Sequence, residues 1–400
     1  MDSSPVLSYD QLYRIVADLV SAELSTLRGQ TREEAQLKGG PQADLLGTTD
    51  SLERLELAAA VNAMFQLHKT GLEDALLRYR RLSKWVEIVE RCWQEHHEEI
   101  TFLSSGSSGR PKHCPHQLVL LLQEVQTLAA IFADRTRILA MVPAHHIYGF
   151  LFTLLLPHVA EVPVIDGRYL AIGTLAQTLK PGDLIVSFPA NWAYLQRSLP
   201  CFPSDVWGVT STAPCDAGLI HALREQGLTQ MIEVYGSSET AGIGSRTMPD
   251  SPYTLFPYWQ RSATQEEGTF SLIRTLPDGT SSNDFQPPDL LEWHSERTFS
   301  PVKRLDNAVQ IGGINVYPQR VAQKILTHPK VKACAVRLFT LPATDRLKAF
   351  IVPVDGIDEA TFRAELEAWL SQHFAAPEKP VRLTFGSELP HNHLGKLTDW

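Results

Sequence analysis

TFLSSGSSGRPK, running from Thr101 to Lys112, decides how the rest of the chain is read. The strand-like run Glu99-Ile100-Thr101-Phe102-Leu103 enters a Gly/Ser-rich turn that closes on a Pro-Lys pair. Gly106 and Gly109 let the backbone fold tightly enough for several N–H groups to converge on one anion. Ser104, Ser105, Ser107 and Ser108 add hydroxyl donors, and Lys112 adds a charge. That is what a loop gripping polyphosphate needs. It is not the GxxxxGK[ST] loop, because Gly109 is followed by Arg110-Pro111-Lys112 and then His113. Alone, such a stretch reads equally well as a surface linker.

Working outward, three regions separate. Residues 1–97 read as helical: Leu12, Ile15, Val16, Leu19 and Val20 recur at a helical period, and Thr49-Asp50-Ser51 starts a second apolar-periodic run. From 98 to 305, short β-like runs (ILAMVP, VPVID, LIVSFP, VWGVTS, MIEVYG) alternate with helical ones, the pattern of an α/β domain. Within it, residues 249–298 are richer in turns and short strands. From 306 to 400 a helix, two strands and a further helix predict a small α+β domain.

Four hundred residues are enough for two or three domains, and 44% hydrophobic with 20% charged residues is ordinary for a globular protein. A net charge of −9 with scattered Lys and Arg argues against a nucleic-acid partner. No apolar run is long enough for a membrane span and no signal peptide is visible, which predicts a cytoplasmic protein. The five cysteines lack CxxC spacing and read as reduced thiols.

Three more segments fall in order after the phosphate-type loop: VYGSSETAG (234–242), VKRLDNAVQIGGINVYPQRV (302–321) and LPHNHLGKLTDW (389–400). With the loop, they resemble the adenylate-forming superfamily of acyl-CoA synthetases, aryl-acid ligases and peptide-synthetase adenylation domains. The resemblance covers residues 98–400 and implies a large α/β domain with a small α+β C-terminal lid. Adenylate-forming enzymes usually carry a longer α/β lobe ahead of the loop, so the first lobe is expected to be reduced or replaced here.

The reaction implied is ATP-dependent activation of a carboxylic acid as an acyl-adenylate, followed by transfer to a thiol. By resemblance, Ser104, Ser105, Gly106, Ser107, Ser108, Gly109 and Lys112 hold the leaving phosphates. Tyr235 stacks on adenine, Ser238 (a Thr in most of the family) contacts the α-phosphate, and Glu239 helps hold Mg²⁺. Asp289, in QPPDLLEW, is the best match to the ribose-binding aspartate, although Pro287-Pro288 replaces the usual pair. Arg304 matches a ribose-reaching arginine, Asp306 the hinge, and Lys396 the catalytic lysine of the lid. In MVPAHHIYGF (141–150), His146 matches the gate of the acid pocket, with Tyr148 and Gly149 beside it and Gly236 on the floor. The absence of an obvious charged pocket residue disfavours amino acids. An aryl acid is preferred over a medium-chain acid, because no run of small residues opens a long tunnel.

DLLGTTDSLERLELAAAVNAMF (44–65) resembles the second-helix region of acyl carrier proteins, with Ser51 at the phosphopantetheine position and Leu52, Leu55, Leu57 and Val61 on the apolar face. The alternative is a helix cap at Ser51. Gln310 stands where the family usually has lysine, and no basic cluster for CoA is evident, so a carrier-protein thiol leads as acceptor, with CoA as the alternative. A degenerate binding module, or an N-terminal docking module without pantetheine, are the remaining rivals.

Overall fold

The computed structural model describes residues 7–28, 49–104, 112–266, 269–282, 284–305, 308–312, 314–340, 345–390 and 397–400. Ser105, Gly106, Ser107, Ser108, Gly109, Asp306, Gly313 and Lys396 lie outside them. The described chain divides into two compact units, 7–104 with 112–303, and 304–400.

Helix α1 (Tyr9–Arg28) buries Leu12, Ile15, Val16, Leu19, Val20 and Leu24, the stripe its periodicity predicts. Helix α2 (Ser51–Phe65) starts at a capping box. The Asp50 carboxylate accepts from the Leu52 and Glu53 N–H groups, and Glu53 accepts from the Asp50 N–H. The cap is therefore Asp50, and Ser51 is the first helical residue. Leu57 and Val61 are buried, whereas Leu52 and Leu55 are 72% and 51% exposed, so the apolar face proposed for a carrier helix is half solvated. Helix α3 (Leu82–Glu95) buries Trp85 and Trp93.

These helices do not form a body of their own. One apolar cluster runs from Leu12 through Phe65 and Trp93 to Phe102, Leu128, Phe152 and Phe299. The region expected over 1–97 to be helical and carrier-protein-like is helical where described, and its helices share their core with the sheet.

Strand β1 (Glu99–Ser104) pairs antiparallel with β2 (Lys112–Gln117), placing Ser104 opposite Lys112 at the mouth of the phosphate-type loop. Helix α4 (Leu118–Ile131) follows, then β3 (Arg137–Ala140). A continuous helical rod comes next: α5 (Ile147–Phe150), a π turn (Leu151–Leu155) and α6 (Leu156–Ala160). β4 (Val164–Asp166), α7 (Ile172–Thr178), β5 (Asp183–Ser187), α8 (Pro189–Ser198), β6 (Trp207–Thr210) and α9 (Ala217–Glu225) alternate as the sequence predicts. β7 (Gln230–Ser237) and β8 (Ala241–Arg246) form a hairpin, followed by β9 (Tyr253–Leu255), β10 (Trp259–Glu266), β11 (Thr269–Arg274), β12 (Asp289–Trp293) and β13 (Thr298–Arg304). The main sheet has the order β12-β13-β9-β8-β7-β6-β5-β3-β4. It is parallel from β4 to β7 and antiparallel through β8, β9 and β13, so the 234–242 motif sits where the direction of pairing changes.

In the second unit the hairpin β14 (Val309–Ile311) and β15 (Ile314–Val316) leads to α10 (Pro318–Ile325) and β16 (Val331–Phe339). β17 (Arg346–Pro353), α11 (Glu359–His373) and β18 (Pro380–Phe385) complete a small α+β domain with the sheet order β16-β17-β18. The last residues return to this sheet. Thr398 donates to Pro390 O through both its N–H (2.8 Å) and its hydroxyl (3.1 Å), and Lys348 bonds Asp399 and the Trp400 main-chain oxygen.

Candidate active site

The β7–β8 turn gathers most of the described nucleotide-type residues. Lys112 Nζ lies 3.1 Å from Glu239 Oε1, so the lysine that closes the phosphate-type loop meets the carboxylate of the turn. Burial works to raise the Glu239 carboxyl. The Lys112 ammonium, helped by Ser237 and by Glu239's own backbone, outweighs it and holds the group below the usual carboxylate range. Two residues before the end of β7, the Tyr235 hydroxyl donates to Asp289 Oδ2 at 2.5 Å, and its ring meets Phe299 edge-on. Two residues 54 apart in sequence, both expected at the nucleoside, are thus brought together.

The turn is tightly specified. Ser237 and Thr240 exchange side-chain hydrogen bonds, and Ala241 is left-handed at φ 59°. A non-glycine residue there stores strain that its surroundings must hold. Gly236 is required by packing, since a Cβ would stand 2.1 Å from Ala241 O. Its expected place on a pocket floor is thus also a close backbone crossing.

Two buried side chains that sequence reading missed hold the turn from behind. His116, on β2, has Nε2 2.7 Å from Ser238 O; burial depresses its pKa, so the neutral ring donates. Glu124, on α4, is fully buried, and both its oxygens accept from the Gly242 N–H, at 3.0 and 2.9 Å. The Gly242 carbonyl in turn accepts from the Tyr258 hydroxyl at 3.1 Å and the Trp259 indole N–H at 2.9 Å. Burial pushes the Glu124 carboxyl up to about 7, against the pull of nearby Arg274 and the Gly242 N–H. One signal could have found Glu124: a charge at a buried position among Leu121, Val125 and Leu128.

The acid-type segment is arranged differently. His146 caps α5, its Nδ1 accepting from the Tyr148 N–H at 3.4 Å, which places the proton of a neutral ring on Nε2. Tyr148, expected to face substrate, is buried, and its hydroxyl is bonded to Ser187 O (2.9 Å) and Val209 O (3.0 Å). That is a correction: the hydroxyl ties the rod to two sheet strands. Gly149 is likewise a packing glycine, because a Cβ would stand 1.9 Å from Pro143 O. The turn 211–215 is clamped to β7, Ser211 donating to Val234 O and the Cys215 N–H to Glu233.

Among the described residues no group of three or more His, Cys, Asp or Glu could hold a metal by itself, and no helix is long and apolar enough to cross a membrane. Mg²⁺ takes one or two carboxylates and otherwise phosphate oxygens and water, so the ionised Glu239 beside a phosphate-type loop fits that ion. Arg304 is the last residue of β13.

A sheet of this order joined to a small α+β C-terminal domain is the fold of adenylate-forming enzymes. It is shared with an o-succinylbenzoate CoA synthetase from Bacillus subtilis (TM-score 0.62, 18% identity, 74% of this chain and 67% of that one). It is shared too with an amide bond synthetase from Marinactinospora thermotolerans (TM-score 0.62, 15% identity, 96% and 92%). The chain belongs to the AMP-binding enzyme family: residues 46–261 match the AMP-binding enzyme and 320–396 its C-terminal domain. Among its relatives are a 4-coumarate–CoA ligase of Halorhodospira halophila, 40% identical over 98% of this chain and 99% of that one, and another of Rhodobacter capsulatus, 36% identical over 97% and 99%. The chain is accordingly an ATP-dependent, AMP-forming acid–thiol ligase. Ser51 falls inside the AMP-binding match, and the helical start aligns with relatives across nearly their full length.

Proposed function

We propose that the chain joins an aryl acid of the hydroxycinnamate kind to coenzyme A through an acyl-adenylate. In the first half-reaction a carboxylate oxygen of the acid attacks the α-phosphorus of ATP. The new O–P bond forms as the bond to the bridging oxygen breaks, and pyrophosphate leaves with the electron pair. In the second, the acceptor sulfur attacks the acyl carbon, the bond to AMP breaks, AMP departs and the thiol proton is released.

The observation that carries adenylation is the Lys112–Glu239 contact across the turn, with Tyr235 and Asp289 joined just before it. The first pair suits the phosphate end of ATP and the second its nucleoside. Lys112, with Ser104, Ser105, Gly106, Ser107, Ser108 and Gly109, would neutralise the leaving phosphates; Ser238 would address the α-phosphate; Arg304 would support the ribose. Mg²⁺, held at Glu239, would supply charge neutralisation between phosphate oxygens. Lys396 is assigned the transition-state charge near the α-phosphate, Asp306 the hinge, and the first unit (7–104 with 112–303) and second unit (304–400) the roles of main domain and lid.

CoA is favoured over a carrier protein because the relatives at 40% and 36% identity bear the name CoA ligase. The helical start also shares its core with the sheet, which removes the motive for a carrier domain. The same relatives, named for 4-coumarate, favour an aryl acid.

The test is acid-dependent ATP–pyrophosphate exchange with 4-coumarate, benzoate and octanoate, followed by mass detection of the thioester formed with CoA. Exchange with 4-coumarate and a CoA thioester are expected. Folded protein that exchanges with no acid would sink the proposal. Phosphopantetheine attached to Ser51 by a phosphopantetheinyl transferase, and acyl loading of its thiol, would return the acceptor role to a carrier.

A further inference from the structure

Helix α1 does more than fill space under the sheet. Gln11, Arg14 and Asp18, at i, i+3 and i+7, form one polar ridge along it. All three reach main-chain atoms of the acid-type segment (141–150) or of the helical turn that directly follows it. Gln11 Nε2 donates to Leu154 O (3.3 Å), Arg14 Nη1 to Thr153 O (3.4 Å), and the Ala144 N–H donates to Asp18 Oδ2 (2.6 Å). The two carbonyls lie in the π turn Leu151–Leu155, an uncommon geometry often found at functional sites.

Asp18 is the strongest of these ties. It is buried, and its second oxygen accepts from Arg168 Nη1 at 2.7 Å. Arg168, just past β4, also bonds both oxygens of Asp166, at 2.9 and 2.5 Å. The Ala144 peptide, two residues before His146, is thus fixed to α1 on one side and, through Asp18 and Arg168, to the end of β4 on the other.

We propose that Asp18 is a positioning residue for the acid gate, so that the N-terminal helix sets how the carboxylic acid is received while leaving the nucleotide turn alone. This rests on the reading of His146 as the gate. The arrangement singles out the acid, because the ridge touches residues 144, 153 and 154, whereas the β7–β8 turn is held by His116 and Glu124. Asp18→Asn probes it. Asp166 keeps Arg168 paired, whereas Arg14, a second mostly buried cation beside both carboxylates, loses part of its charge balance, a cost that the melting curves read. Ala144 and Arg168 donate to different Asp18 oxygens, however, so an amide turns its NH2 toward one of these two donors and loses that bond.

The experiment measures KM for 4-coumarate and for ATP separately in pyrophosphate exchange, for Asp18→Asn, for Gln11→Ala/Arg14→Met and for His146→Ala, with melting curves alongside. The expected result is an acid KM raised about tenfold in Asp18→Asn, the scale of one lost charge-assisted hydrogen bond, with the ATP KM within about twofold. The Gln11/Arg14 double variant should move the same way by less, and it carries the test if Asp18→Asn fails to fold. Unchanged acid KM in folded variants, or acid and ATP KM rising together, would overturn the proposal. A shift in Asp18→Asn with none in His146→Ala would overturn the gate reading and leave the brace standing.

Discussion

The turn that carries Glu239 and the segment that carries His146 are each held from behind by a buried helix carboxylate, Glu124 in one case and Asp18 in the other. They differ in what they leave outside. Around the turn, the side chains expected to meet ATP stand at its surface: Lys112 against Glu239, and Tyr235 against Asp289. In the acid segment, most of the distinctive side chains are spent inward. The Tyr148 hydroxyl goes to two strand carbonyls, and Gly149 to a close crossing of Pro143. Under the proposed function, the outward motif side chains of the turn carry chemistry while those of the segment mostly set packing. Specificity for the acid would then follow from how the segment is placed.

The largest effect that would sharpen this contrast is on rate. Glu239→Gln should lower pyrophosphate exchange by about 10²-fold and raise the Mg²⁺ concentration needed for half-maximal rate, with the melting temperature little changed. A loss of fold instead would make the turn structural like the segment.

Next comes a crossed pair of hydroxyl deletions. Tyr148→Phe should cost about 1–2 kcal/mol in denaturant unfolding, from two carbonyls losing their donor, without moving the ATP KM. Tyr235→Phe should raise the ATP KM several-fold at nearly unchanged stability. Reversal of either result would break the comparison.

Glu124 offers a smaller effect, in pH. Its folded pKa, about 7, lies above the ordinary value of 4.5, so the proton is held more tightly in the folded state. Its contribution to stability is full below about 4.5 and is lost as pH rises through about 7. Glu124→Gln, which does not titrate, should show a flatter decline in melting temperature from pH 5 to 8. A parallel decline in both proteins would remove Glu124 as its source. Smallest of all, Ser51→Ala should leave exchange and thioester formation unchanged, since the helix is capped by Asp50.

The contrast also explains what the sequence disclosed. The alternating strands and the helix α1 stripe were legible because burial repeats with a period of two or 3.6 residues. Lys112, Tyr235, Glu239 and Asp289 were legible through the motifs that resemble those of adenylate-forming enzymes, and they fall at strand ends and in the β7–β8 turn. Asp18, His116 and Glu124 were not, because each acts on a peptide group, and a peptide group leaves no letter behind. Asp18 and Glu124 also sit on apolar helix faces, where periodicity absorbs them into the core. The carrier-like reading of residues 44–65 rested on a weaker signal for the converse reason. A Thr-Asp-Ser start followed by leucines is what any well-capped amphipathic helix looks like, and only burial separates Leu57 and Val61 from the exposed Leu52 and Leu55.

The indole of Trp259 donates its N–H to the carbonyl of Gly242, directly behind the strained turn. Indole emission shifts in colour and yield with the strength of that hydrogen bond and the polarity around the ring. The turn therefore carries its own optical reporter: any ligand that moves the Gly242 peptide should change the light from Trp259, with no dye or tag attached.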